Sequence, residues 1–155
     1  VLEIGCGTGR NLLHLKSELP QLDVAGLELS AASVSVAQEA AERYGLEIDV
    51  RQQDATQPWP IEGADVIYSL CALEMMPRHA PAVARQMYER ARMAVVMYEP
   101  LPDLWSGPAA LPSRLRRLHL DRLRQGAFDA LPVTSKTLMP AGTALNRVSR
   151  IVIEK

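Results

Sequence analysis

The chain has 155 residues, of which 48% are hydrophobic and 23% charged, a length and composition that suit one packed domain, residues 1–155, and exclude a disordered chain. Its formal net charge of -1 conceals an asymmetry, because residues 1–100 carry eight Lys/Arg against fourteen Asp/Glu whereas residues 101–155 carry nine against four. No stretch approaches the roughly 18 uninterrupted apolar residues of a membrane span, and the opening residues lack a secretion signal; two cysteines, Cys6 and Cys71, are too few for a disulfide framework or a four-ligand zinc site, so the expected setting is the reducing cytoplasm with no bound metal.

Val1–Ile4 is a short apolar run ended by glycines and reads as a buried strand. The chain opens directly on it, which is the pattern of a domain lacking its beginning. Arg10–Leu19 places Leu12, Leu15 and Leu19 on one helical face before Pro20 stops the helix. Leu22–Leu29 reads as a second strand, and Ser30 is placed to cap a helix that runs to Tyr44 and breaks at Gly45. Ile48–Gln53 is a third strand with a polar face, and Asp65–Leu70 is a fourth, more apolar and hence central. The loop between them holds Pro58, Trp59 and Pro60. A helix over Ala80–Met93 and a strand over Ala94–Tyr98 follow, then a proline-rich stretch and an Arg-rich helix over Ser113–Gln125.

Alternating strands and helices require crossovers, hence an α/β fold with a mostly parallel sheet and helices on both faces. The last two strands, Leu131–Met139 and Arg147–Glu154, depart from the alternation. Only seven residues, Pro140 to Asn146, separate them, whereas a parallel crossover needs about a dozen or more. They are expected to pair as an antiparallel hairpin.

Glu3-Ile4-Gly5-Cys6-Gly7-Thr8-Gly9 stands where the first strand passes into the first helix. Glycines there permit left-handed backbone and let a ligand approach without a Cβ in the way. A dinucleotide fingerprint would need its third glycine where Arg10 stands, and a phosphate loop would need a lysine that is absent, so neither an NAD nor a nucleoside-triphosphate site is matched in full. The turn resembles the first motif of class I S-adenosylmethionine-dependent methyltransferases of the small-molecule type, an acidic residue followed by G-x-G-x-G. That resemblance implies a Rossmann-like, doubly wound, mostly parallel seven-strand sheet with a C-terminal antiparallel hairpin, and S-adenosyl-L-methionine as cofactor.

The resemblance also implies the site. Glu3, Gly5, Cys6, Gly7 and Gly9 would form the cofactor turn; Glu28, 19 residues after Gly9, would accept from both ribose hydroxyls, with Leu29 beside it. Asp54 would meet the adenine amino group, and Ala55 would supply a backbone amide. An Asx turn before Pro58 is the competing reading of Asp54. Ser69 and Leu70 would present the end of the fourth strand to the methionine part of the cofactor. Residues 1–100 then form the cofactor half and residues 101–155 the acceptor side.

Methyl transfer from a sulfonium needs mainly an acceptor held on line, so no catalytic acid or base is obligatory. Glu74, His79 and His119 are the candidates if one is used. No Asn/Asp-Pro-Pro-aromatic motif follows the fourth strand, no proline precedes Cys71, and little aromatic residue is interleaved with the arginines. These absences argue against nucleic acid and for a small-molecule acceptor. The alternatives carried forward are a cofactor-binding module without activity and an NAD-binding Rossmann domain.

Overall fold

The computed structural model describes residues 1–100, 127–139 and 148–155. The described elements are β1 (Leu2–Ile4), α1 (Arg10–Glu18), β2 (Ala25–Glu28), α2 (Ala31–Tyr44), β3 (Asp49–Gln52), β4 (Ala64–Leu70), a single 3-10 turn (Leu73–Met75), α3 (Ala80–Arg90), β5 (Ala91–Glu99), β6 (Ser135–Leu138) and β7 (Ser149–Glu154). The Arg-rich segment Ser113–Gln125 lies outside the described residues.

The seven strands form one sheet in the order β3-β2-β1-β4-β5-β7-β6. Pairing is parallel from β3 through β5, and β7 is antiparallel to both β5 and β6. The expected terminal hairpin and the central fourth strand are therefore both present. Leu12 of α1 and Val34 and Ala37 of α2 pack with Val24 and Val50 on one face. On the other face, Ala80, Val83, Ala84 and Met87 of α3 cover Ile4, Ile67, Val95, Met97, Ile151 and Ile153. Each large apolar side chain fully removed from water there contributes about 1.5–3 kcal/mol before the entropy of ordering it.

Local chemistry explains most boundaries. The Ser30 hydroxyl caps α2 by accepting from the Ser33 amide at 3.3 Å, while Gly45 adopts φ 64° and lets the Leu46 amide close onto the Ala41 carbonyl at 2.9 Å. Four sequence readings need correction. Leu19 lies beyond the end of α1 and is 42% exposed, so only Leu12 and Leu15 of that face pack inward. β2 begins at Ala25 rather than Leu22, because its partner β1 is short and pairing starts at Leu2–Ala25. Ala91–Met93 belong to β5, not to the helix before it. Ala91 pairs with Ala64, and Arg92 bonds Asp65 across β4 and β5 at 2.7 Å. Sheet pairing overrides a helical preference that local pattern alone suggests. Likewise β6 is shorter than its apolar run, since Leu131 and Val133 pack on the core from irregular chain.

Gly26 sets how closely α1 can approach the sheet. A Cβ built at Gly26 would stand 2.5 Å from Cys6 Sγ and 2.7 Å from Leu12 Cδ1. Gly26→Ala should therefore destabilise the fold by about 1–3 kcal/mol through overpacking, read as a lower urea midpoint with an unchanged m-value.

Candidate functional site

β1 hands the chain to a turn in which Gly5, Gly7 and Gly9 have φ of 70°, 55° and 72°. The amides of Gly5 and Cys6 both donate to the Leu27 carbonyl, at 2.8 and 3.2 Å, and that of Gly9 donates to the Cys6 carbonyl. The turn is thereby tied to the end of β2. Glu28 completes the tie: its Oε2 accepts from the Gly7 amide at 2.9 Å and its Oε1 from the Ser30 amide at 2.8 Å. Each carboxylate oxygen retains a further lone pair for an outside donor.

A cleft of about 550 Å³ opens at the carboxyl ends of β1, β2, β3 and β4. Gly5, Glu28, Leu29, Asp54 and Ala55 line it, as do Thr56, Cys71, Ala72, Met75, Met76 and His79. Leu29 and Met75 are 66% and 68% exposed, which leaves apolar surface on the cleft lining. A larger cavity of about 680 Å³ lies near the amino ends of β2 and β3, bordered by Lys16, Gln38 and Glu42. In a parallel sheet with crossovers on both faces, ligand chemistry converges at the carboxyl ends, so the smaller cleft is the candidate.

Asp54 forms the Asx turn that was its competing reading, and it also stands on the cleft lining. Its Oδ1 accepts from the Thr56 amide at 2.8 Å and the Thr56 hydroxyl at 2.7 Å, an Asx turn, while the residue also borders the cleft. The Thr56 amide and hydroxyl hold its carboxyl below the usual aspartate range, with a smaller contribution from nearby His79. Glu3 sits beneath the turn, 1% exposed, where its Oε1 accepts from Asn11 Nδ2 at 2.7 Å. Its Oε2 makes no hydrogen bond of good geometry among the described residues. Burial pushes the Glu3 carboxyl up, opposed by Asn11 and Tyr68.

Not every residue grouped by sequence stands on the cleft wall. Cys6 is buried, its thiol packed near Gly26 on the α1 side and its amide already bonded. Ser69 is wholly buried and its hydroxyl donates to Glu99 Oε1 at 2.8 Å. Gly7 and Gly9 act through the turn, and Leu70, 41% exposed, lies off the lining. Glu74 is also off it and gives its amide to Glu99 Oε2 at 3.3 Å. His79 is on the lining, at the start of α3, while His119 lies outside the described residues. Glu99, buried at the end of β5, was missed by sequence reasoning; its one signal was a carboxylate closing the apolar run Ala94–Tyr98.

A family model described as "Methyltransferase domain" matches residues 1–93. The chain belongs to the methyltransferase domain family. It is 46% identical over 59 residues to indolepyruvate C-methyltransferase of Streptomyces griseus, which covers 36% of this chain and 18% of that protein. With trans-aconitate 2-methyltransferase of Deinococcus radiodurans it shares 31% identity over 103 residues, 66% of this chain and 37% of the other. The chain thus spans well under half the length of these two curated relatives. Among solved structures, the plantazolicin methyltransferase BpumL in complex with SAH superposes with a TM-score of 0.68 at 14% identity, covering 99% of this chain and 74% of that one. Magnesium protoporphyrin IX methyltransferase of Synechocystis with bound SAM gives 0.64 at 17% identity, with 97% and 67% covered. These two likenesses show the methyltransferase fold.

Burial pushes the Cys6 thiol up to about 12 and the Cys71 thiol up to about 11, with nearby carboxylates adding to each. Both cysteines are free and stay protonated at neutral pH. Iodoacetamide at pH 7.5 should therefore label the folded chain more than ~10-fold more slowly than the urea-unfolded chain, as followed by intact-mass spectrometry.

Proposed function

We propose that this domain binds S-adenosylmethionine in the cleft at the strand carboxyl ends and transfers its methyl group to a small-molecule acceptor. The observation that carries the reading is the convergence of Gly5, Glu28 and Asp54, from three different strand ends, on one cleft. The residues suit that cofactor's chemistry. Glu28 offers two carboxylate oxygens to a vicinal diol, and Asp54, kept ionised by Thr56, offers an acceptor to an exocyclic amine. Glu3 lies buried beneath the turn, off the cleft lining, with its carboxylate bonded to Asn11 Nδ2. The left-handed glycine turn brings backbone close to a ligand without side-chain obstruction.

When bound, the cofactor supplies an activated methyl group on a sulfonium, so the protein's task is alignment. Carboxylates at Glu28 and Asp54 favour a cationic ligand over the ~10 Å that screening allows. Met75, Met76 and Leu29 give the rim an apolar character suited to an organic metabolite, and His79 stands on the wall as a base for acceptors that must lose a proton. Among the described residues no helix is long and apolar enough to cross a membrane, and the two free thiols fit a reducing cytoplasmic setting.

Calorimetry should give heat with S-adenosylmethionine and none with NAD at high micromolar concentration; the reverse pattern assigns the domain to the dehydrogenase-like alternative. Glu28→Ala should weaken cofactor binding by about 1.5–3 kcal/mol, the worth of charged hydrogen bonds, in a variant whose melting cooperativity is retained. Methyl transfer across a metabolite panel separates an enzyme from a binding module that turns nothing over.

A further inference from the structure

Glu99 is a buried carboxylate with no cation beside it among the described residues. It is 0% exposed at the carboxyl end of β5, and no ion pair reaches it among the described residues. Instead it accepts four hydrogen bonds. Oε1 takes the Ser69 hydroxyl at 2.8 Å and the amides of Ala72 and Leu73 at 3.3 and 3.2 Å; Oε2 takes the amide of Glu74 at 3.3 Å. Three successive amides of the turn after β4 are thus gathered on one side chain from the neighbouring strand.

That turn is the part of the cleft wall that least explains itself. Cys71, at its start, has φ 51°, the only positive φ at a non-glycine among the described residues. Left-handed backbone at a cysteine persists only where its surroundings over-determine it. One restraint is the Cys71 amide, which donates to the Tyr98 carbonyl at 2.8 Å; the next three amides are held by Glu99. Ala72, fixed in this way, lies against Gly5: a Cβ built at Gly5 would stand 2.6 Å from Ala72 Cβ. Cys71, Ala72 and Met75 all line the cleft. The shape of the wall facing the glycine turn therefore runs through the Glu99 carboxylate, although Glu99 itself touches none of the cleft.

We propose that Glu99 is a positioning residue of the methyltransferase cleft, holding the Cys71–Glu74 backbone in the one shape that leaves room for the cofactor against Gly5. The proposal rests on the cofactor reading above for its ligand, but not for its geometry. Among the described residues the titratable side chain coupled to Glu99 is the Cys71 thiol after β4; Ser149, its register partner on β7, is uncharged. Burial pushes the Glu99 carboxyl up to about 7, and the four donors only partly oppose this. A carboxyl raised in the folded state stabilises the fold most below its unfolded value near 4.5, and that contribution is lost as pH rises through about 7. Positioning has the opposite sign, because a proton on either oxygen replaces an acceptor with a donor aimed at an amide. Acidification from pH 8 to 6 should therefore loosen the turn without a Glu99-dependent loss of overall stability.

The test compares wild type with Glu99→Gln, which keeps the size and one acceptor oxygen, and with the milder Ser69→Ala, which removes one donor and should fold even if the first variant does not. Amide hydrogen exchange is measured on the ligand-free chain, and binding is measured with S-adenosylhomocysteine by calorimetry at pH 8 and 6. Expected in Glu99→Gln are exchange at Ala72, Leu73 and Glu74 faster by ~10-fold or more, α2 amides unchanged, and affinity weaker by ~10-fold or more at pH 8, as loss of charged hydrogen bonds implies. Wild-type affinity should fall between pH 8 and 6 relative to the variant, whose profile flattens. Ser69→Ala should move exchange at the same three amides in the same direction by a smaller factor. Unchanged exchange at residues 72–74 in both variants overturns the proposal, as does faster exchange with unaltered affinity. If wild type itself takes no S-adenosylhomocysteine, the cofactor reading fails, and the ligand-free exchange still decides whether Glu99 holds the turn.

Discussion

Strand β1 is three residues long, yet it is hydrogen-bonded along both edges, to β2 through Leu2–Ala25 and to β4 through Leu2–Ile67. Everything at the site depends on that double pairing. After β1 the chain leaves for α1 on one face of the sheet; after β4 it leaves for α3 on the other. Two neighbouring parallel strands whose crossovers depart in opposite directions open a crevice between their carboxyl ends. Slipping either pairing by one residue would exchange Glu3 with its apolar neighbours and put a carboxylate in the α3-side core.

The polar groups around the crevice are arranged so that backbone donors meet carboxylates. Glu28 closes the glycine turn, Asp54 closes the Thr56 turn, and Glu99 closes the turn after β4. Each carboxylate comes from a strand end or the residues just after one, where backbone amides stop pairing within the sheet and need acceptors. Glu28 and Asp54 line the cleft, so their remaining lone pairs are open to an outside donor. Glu99 is sealed behind the wall, and all of its visible bonding is internal. The same chemical group is thus sealed into the fold in one place and open to the cleft in two others, according to burial.

Much of this was legible in the chain itself. Ser30 and Gly45 marked the ends of α2 because capping is chemistry within a few residues, and the short connection before β7 forced the antiparallel hairpin. The glycines of residues 5–9 announced left-handed backbone, and the acids at positions 28 and 54 stood at strand ends readable from apolar runs. Less legible were features set by partners far along the chain. The start of β5 depends on β4 through the Ala64–Ala91 pair and the Asp65–Arg92 bond, and the apolar pattern of Ala91–Met93 carries no trace of either.

Sequence alone determined the fold class and which strand ends carry acidic residues, because these follow from periodicity and capping, both local quantities, while the resemblance of the Glu3–Gly9 turn to a known motif pointed to the family. Tertiary structure decided which of those residues face the cleft. Cys6 and Ser69 share strand ends with the lining residues but turn into packed interior, one toward Gly26 and the other onto Glu99. It also decided that Glu99, 30 residues beyond Ser69, shapes a wall it does not touch. The reason is physical: side-chain direction at a strand end is set by the neighbouring strand's register and by what occupies the adjoining space, and neither is encoded within a few residues of the side chain itself.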